Sequence, residues 1–92
     1  MTKALKNTEI VLESFLDINL NQLVKVPIIV IYNSPKDYPN KFVARLWDIH
    51  NKPTKYVIIK DDIESIRSII PKTMVRLNRN TEDDPVIVET WL

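Results

Sequence analysis

The spacing of apolar residues changes several times along this chain, and each change predicts a different element. Residues 8–24 contain no proline, and their apolar side chains cover an arc of roughly 200° on a helical wheel, opposite Glu13 and Asp17. Thr8 offers a capping side chain at the start of the segment. This pattern predicts a first helix.

The apolar arc of this first helix is about twice as wide as the stripe of roughly 100° that one sheet contact requires. Either the helix ends near Asp17 and Asn19 and the rest is a connector, or the surplus surface meets a second element or a second copy of the chain. Leu16, Leu20 and Leu23 lie at one margin of the arc. We therefore take these three leucines as candidate interaction residues.

Three strands are predicted in the middle of the chain. Residues 26–32 are nearly all β-branched or aromatic and show no polar alternation, which is typical of a central strand buried on both faces. After a loop with two prolines, residues 41–48 alternate with period two, as in a half-buried strand. A third strand is predicted over residues 55–60.

The last third of the chain predicts a short helix and two strands. Asp61 or Asp62 caps the helix, and Pro71 ends it. The apolar stripe of that helix consists of Ile63, Ile66, Ile69 and Ile70. Residues 74–78 and 86–91 have the composition of strands. The predicted order is therefore α-β-β-β-α-β-β.

These elements predict one small α+β domain over residues 1–92, with an antiparallel or mixed five-stranded sheet and two helices. Residues 1–7 are expected to be flexible. Hydrophobic residues make up 45% of the chain and charged residues 27%, which is ordinary for a globular domain. No apolar run approaches the roughly 20 residues of a membrane-spanning helix. We therefore expect no association with a membrane.

Two missing residue types limit the chemistry that this chain can perform. Without cysteine it forms no disulfide, zinc-thiolate site or thiol nucleophile, and this composition fits a reducing cytoplasm. Without glycine, the phosphate-binding loops of nucleotide-binding motifs are not expected. The single histidine, His50, lies near Asp48 in a predicted loop with nothing to activate. We expect no catalytic residue and no cofactor, and therefore no enzyme.

The acidic residues are the remaining candidates for metal ligands. Their two clusters consist of Asp61, Asp62 and Glu64, and of Glu82, Asp83 and Asp84. The spacing matches no calcium-binding loop, and carboxylates at a helix start already complement its dipole. We therefore expect no metal site.

The net charge is +1, but the signs are segregated along the chain. Residues 36–60 hold six Lys or Arg against two Asp, whereas residues 82–89 hold four acids and no base. Adjacent strands can bring the two segments together, so the pattern does not by itself indicate a polyanionic partner.

The two tryptophans indicate a second candidate surface. Within their strands Trp47 shares a face with Arg45, and Trp91 shares one with Glu89, so both rings are expected together on the sheet face opposite the helices. Such an aromatic and basic face can stack bases, form a dimer contact or pack under a loop. Arg45, Trp47 and Trp91 are therefore candidate interaction residues.

The leading hypothesis is a non-enzymatic protein-interaction module that self-associates as a homodimer or binds a protein partner. The contact would come from the first helix or from the tryptophan face. The alternative is a nucleic-acid-associated protein, and the near-neutral total charge predicts only weak binding. Its basic residues would be Lys41, Arg45, Lys52, Lys55, Arg76 and Arg79.

Two stretches of the chain carry a resemblance. The segments YNSPKDYPNKFVARLWD, residues 32–48, and DDPVIVETWL, residues 83–92, resemble small proteins of low-GC Gram-positive bacteria and their phages. The resemblance attaches no function and carries over no site residue.

Overall fold

The computed structural model describes residues 9–50, 52–78 and 85–92, so the expectation of a flexible segment at residues 1–7 and the Thr8 cap lie outside it. The described strands are β1 (Ile10–Val11), β2 (Pro27–Asn33), β3 (Phe42–Asp48), β4 (Lys52–Lys60), β5 (Arg76–Asn78) and β6 (Ile87–Trp91). One α-helix, α1 (Ile63–Arg67), follows β4, and a 3-10 helix (Leu20–Gln22) precedes β2.

The strands form one mixed sheet in the order β1-β4-β3-β2-β6-β5. The β1–β4 pair is parallel and the other pairs are antiparallel. The predicted central strand is confirmed, because β2 lies between β3 and β6, and Ile29 and Ile31 are fully buried. On the other face of β2, Val30 is also buried, whereas Ile28 and Tyr32 are only partly buried.

The predicted architecture of five strands and two helices is wrong, because residues 9–24 form no α-helix. The β-branched Ile10 and Val11 pair instead with Tyr56 and Val57 at the edge of β4. The rest of the segment consists of turns and the 3-10 helix, whose start is capped by the Asn19 side chain. The open edge of β4 thus offers backbone hydrogen bonds that compete with a helix.

The hydrophobic core lies on one face of the sheet, which we call the covered face. Its buried residues are Phe15, Leu20, Ile29, Ile31, Ala44, Leu46, Ile58, Ile66, Ile69 and Ile70. The irregular segment before β2 therefore contributes core side chains together with α1. Its wide apolar arc reflects side chains that enter the core from several turns rather than a surplus helical surface.

Helix α1 begins as predicted, with the Asp62 side chain accepting a hydrogen bond from the backbone N–H of Ser65 at 2.8 Å. It is shorter than expected, since it ends at Arg67. Arg67 then donates to Glu89 of β6, whose carboxylate lies on the covered face. This pair joins the helix to the sheet.

Candidate functional site

The other face of the sheet, which we call the open face, carries a different set of side chains. Ile28, Val30 and Tyr32 of β2 point to this face. Through the β2–β3 register they lie opposite Trp47, Arg45 and Val43 respectively. None of the described helical elements packs here, and the cover comes from the loop between β2 and β3.

That loop, residues 34–41, folds back over the open face. It closes with a hydrogen bond from the Ser34 N–H to the Lys41 carbonyl at 2.8 Å. Ser34 and Asn40 adopt positive φ angles, 53° and 64°. In a chain without glycine these two residues supply the left-handed backbone that the reversal needs, and asparagine tolerates that conformation well.

A pocket of about 330 Å³ lies between the loop and the sheet, and we call it the aromatic pocket. Its lining residues are Tyr32, Pro35, Asp37, Tyr38, Val43, Arg45, Trp47, Pro53 and Thr54. Three aromatic rings and two prolines thus surround a cavity whose volume is at the small end of ligand-binding pockets. The pocket is the strongest candidate site in the described part of the chain.

Glu9, just before β1, joins three parts of the pocket. One carboxylate oxygen accepts a hydrogen bond from the Tyr38 hydroxyl at 2.6 Å, and the other forms an ion pair with Arg45. The Arg45 guanidinium also donates to the Thr54 carbonyl at 2.8 Å. The network fixes the loop, β3 and β4 relative to one another.

The network shifts the pKa of both acidic groups. Burial raises the pKa of Glu9, but hydrogen bonds from Tyr38 and Arg45 and the charge of Arg45 outweigh burial and leave it below the ordinary 4.5. The hydrogen bond to Glu9, with burial and the Glu9 charge, raises the pKa of Tyr38 to about 12. Near neutral pH the site therefore holds a carboxylate and a neutral phenol.

The aromatic walls are also joined to each other, because the Trp47 indole N–H donates to the Tyr32 hydroxyl at 3.0 Å. Together with the Glu9 network, this bond engages the polar side chains of Tyr32, Tyr38, Arg45 and Trp47. Asp37 lies exposed at the rim. The pocket consequently offers ring surfaces more than free donors or acceptors.

The β5–β6 side of the open face is apolar. Leu77 lies opposite Thr90, which lies opposite Val30, so all three point to the open face. Val75 extends this ladder through two backbone hydrogen bonds with Leu92. Val75 is 64% exposed and Leu77 is 44% exposed. We call Ile28, Val75, Leu77 and Thr90 the apolar patch.

The predicted candidate residues are separated by this arrangement. Leu16 is half exposed on a turn, Leu20 is buried, and Leu23 packs against the core, so they form no common surface. Trp91 lies opposite Ile29 and therefore points to the covered face, whereas Trp47 lies opposite Ile28. The expectation that both tryptophans share a face is wrong.

Arg45 and Trp47 do come together in the aromatic pocket. Sequence reasoning missed Glu9, Tyr32 and Tyr38 in that site. Glu9 was assigned to the predicted first helix. Tyr38 could have been noticed as an aromatic residue within an otherwise polar, proline-containing loop.

His50, Asp61, Asp62 and Glu64, which were considered for catalysis or metal binding, are not among the lining residues of the aromatic pocket. His50 is exposed in the turn after β3, where its backbone N–H donates to the Asp48 side chain at 3.2 Å. Among the residues that the structure describes, no group of three or more His, Asp or Glu side chains could hold a metal ion. Glu82, Asp83 and Asp84 lie outside those residues.

The chain was compared with known proteins by sequence and by structure. No protein-family model, curated protein or solved structure matches it. In the described ranges, no helix is long and apolar enough to cross a membrane.

Proposed function

We propose that this chain is a non-enzymatic protein-interaction module that self-associates through the apolar patch. The observation that carries the proposal is the exposure of Val75 and Leu77 on a sheet face that α1 does not cover. Contiguous exposed apolar surface on a small domain is typical of protein contacts. We also propose a cytoplasmic location, because a chain without cysteine suits a reducing compartment.

A second copy of the chain is the partner that fits the patch best. The four patch residues are uncharged, and the alternating Arg76 and Asn78 of β5 point to the covered face. A twofold contact places the same patch on both sides of the interface. An uncharged patch meets itself without repulsion between like charges.

The size of the patch predicts a weak assembly. The patch is three strands wide and about three residues long, or roughly 14 Å by 10 Å from the usual strand spacing and rise. A stable interface buries about 800 Å² on each partner. We therefore expect a dimer that forms at high protein concentration and dissociates on dilution.

Light scattering across a dilution series tests this proposal. The parent protein should approach twice the chain mass at high concentration, and Leu77→Glu should stay at the mass of one chain. Leu16→Glu is the matched control, because Leu16 is 50% exposed but lies on the turn beside the core. A parent that remains monomeric, or a Leu16→Glu variant that dissociates while Leu77→Glu does not, contradicts the proposal.

The nucleic-acid alternative ranks second because several of its cations have acidic neighbours. Lys41 pairs with Asp61, Arg45 pairs with Glu9, and Arg76 lies 3.8 Å from the carboxylate of Glu89. Arg79 lies outside the described residues. Fluorescence anisotropy with labelled single-stranded DNA at two salt concentrations tests the alternative. Tight binding at physiological salt that falls steeply as salt rises would restore it.

A further inference from the structure

We propose that the aromatic pocket binds an extended, proline-containing segment of a partner protein, with a basic residue beside the proline. The inference deepens the proposed interaction role and rests on it. The aromatic pocket is lined by Trp47 and the loop, and Ile28 of the apolar patch lies opposite Trp47. Peptide binding is therefore measured both in the parent and in a variant that does not self-associate.

The walls of the pocket suit a prolyl ring. The rings of Tyr32, Tyr38 and Trp47 present flat apolar surfaces, and Pro35 and Pro53 add two further rings. Aromatic-lined grooves are the usual recognition surface for proline-rich segments in the polyproline II conformation. A volume of about 330 Å³ leaves room for more than a single side chain.

The hydrogen bonds of the pocket favour a ligand that binds through apolar ring contacts. The Trp47 indole is engaged by Tyr32, the Tyr38 hydroxyl by Glu9, and the Arg45 guanidinium by Glu9 and the Thr54 carbonyl. These bonds occupy the donor groups of Trp47, Tyr38 and Arg45, so a ligand gains affinity here from contact with the ring faces rather than from new hydrogen bonds. A prolyl ring supplies such an apolar contact. A proline-rich segment is also extended before binding, so it loses little conformational entropy.

The charges of the pocket favour a basic neighbour for that proline. Glu9 and Arg45 neutralise each other, and Asp37 adds an exposed negative charge at the rim. Among the lining residues, this leaves the Asp37 carboxylate as the charge that a ligand meets at the rim. An arginine or lysine beside the proline can approach Asp37 from the solvent.

A nuclear magnetic resonance titration of the ¹⁵N-labelled protein tests the inference. The probe is a short oligoproline peptide with an arginine at each end. The indole N–H signal of Trp47 should shift and saturate, whereas that of Trp91, on the covered face, should stay in place as an internal control. A matched peptide with alanine in place of proline should cause no saturable shift.

The titration is repeated in the Leu77→Glu variant, which is expected to stay monomeric, so that self-association does not contribute to the shifts. A peptide response in that variant, with a parent that is monomeric, would overturn the dimer and leave the pocket assignment standing. An unchanged Trp47 signal at the highest oligoproline concentration overturns the pocket assignment. A shift caused by tetramethylammonium but not by oligoproline also overturns it, in favour of a site for organic cations.

Two variants separate the ring contacts from the charge contact. Trp47→Ala should weaken oligoproline binding roughly tenfold, since buried aromatic anchors carry much of the binding energy. Asp37→Asn, at an exposed position that does not threaten the fold, should weaken binding of the arginine-flanked peptide roughly twofold to fivefold at low salt. Asp17→Asn removes the same charge from an exposed turn and should leave the affinity unchanged. Equal effects of Asp37→Asn and Asp17→Asn would contradict a role for the rim charge.

Discussion

Arg67 of α1 donates two hydrogen bonds to Glu89 of β6, at 2.9 Å and 3.2 Å, and the Glu89 side chain is only 3% exposed. The indole N–H of Trp91 donates to the same carboxylate at 2.9 Å. A buried charge is tolerated when it is paired and fully hydrogen-bonded. This pair therefore links the only described α-helix to the sheet through polar contacts beside an apolar core.

Glu89→Gln should lower the free energy of unfolding by about 2 kcal/mol, because the amide keeps the shape of the side chain but loses the charge-assisted hydrogen bonds. Urea denaturation measures the change. Asp61→Asn is the control, since it removes the exposed ion pair with Lys41 and should cost less than about 1 kcal/mol. Equal losses in both variants would show that burial does not strengthen the Arg67–Glu89 pair.

Acid should destabilise the fold through Glu89. Burial raises the pKa of Glu89, but hydrogen bonds from Arg67 and Trp91 and the nearby positive charges outweigh it and hold that pKa below the ordinary 4.5. A lowered folded-state pKa gives stability that is present above the unfolded value and is lost as the pH falls through the folded value. Urea midpoints at about pH 7 and about pH 3 should therefore differ more in the parent than in Glu89→Gln. The same difference in both proteins would exclude Glu89 as the titrating group.

Glu9→Gln should bring the pKa of Tyr38 down from about 12 toward 10.0, since the neutral amide no longer disfavours a tyrosinate. Titration of the tyrosine ring signals by nuclear magnetic resonance measures the shift, and Tyr38→Phe assigns the signal. In the parent, the raised pKa stabilises the fold below the unfolded value of 10.0, and this contribution is lost as the pH rises toward 12. A Tyr38 pKa that stays the same in Glu9→Gln would contradict the hydrogen-bond network.

Ile29→Asp should unfold the domain. Its side chain is fully buried in the central strand, and an unpaired buried carboxylate costs several kcal/mol, against a typical total stability of about 5 to 15 kcal/mol. Circular dichroism melting measures the loss. Val26→Asp is the control, because Val26 is exposed just before the same strand and should melt close to the parent. A folded Ile29→Asp variant would place β2 outside the core.

The elements from residue 26 onward were predictable because their patterns are local. Alternation of side chains with period two predicts β3, the unbroken apolar run predicts β2, and the capping residue Asp62 predicts the start of α1. Residues 9–24 were not predictable in this way. The apolar pattern of this segment is compatible both with a helix and with an edge strand followed by turns. The edge strand is favoured by pairing with β4, which lies far along the chain and is not visible in the local pattern.

The candidate site was predictable only in part, because alternation within a strand does not fix the register between strands. Trp47 and Arg45 were correctly placed on one face, since they belong to the same strand. The prediction for Trp91 was wrong, because Trp91 pairs with Ile29 whereas Trp47 pairs with Ile28. A difference of one residue in register places the two indole rings on opposite faces of the sheet. The network around Glu9 depends on a contact between distant segments, which no local pattern contains.

The pairing of β1 with β4 also has a kinetic consequence. Ile10 pairs with Tyr56, so β1, the first described strand, depends on a partner strand 46 residues further along the chain. Closing such a long loop is entropically costly, and contacts of this kind form late in folding. Glu9 reaches Arg45 in the same step. The hairpins can therefore assemble first, and the aromatic pocket becomes complete only when Glu9 and β1 reach β3 and β4.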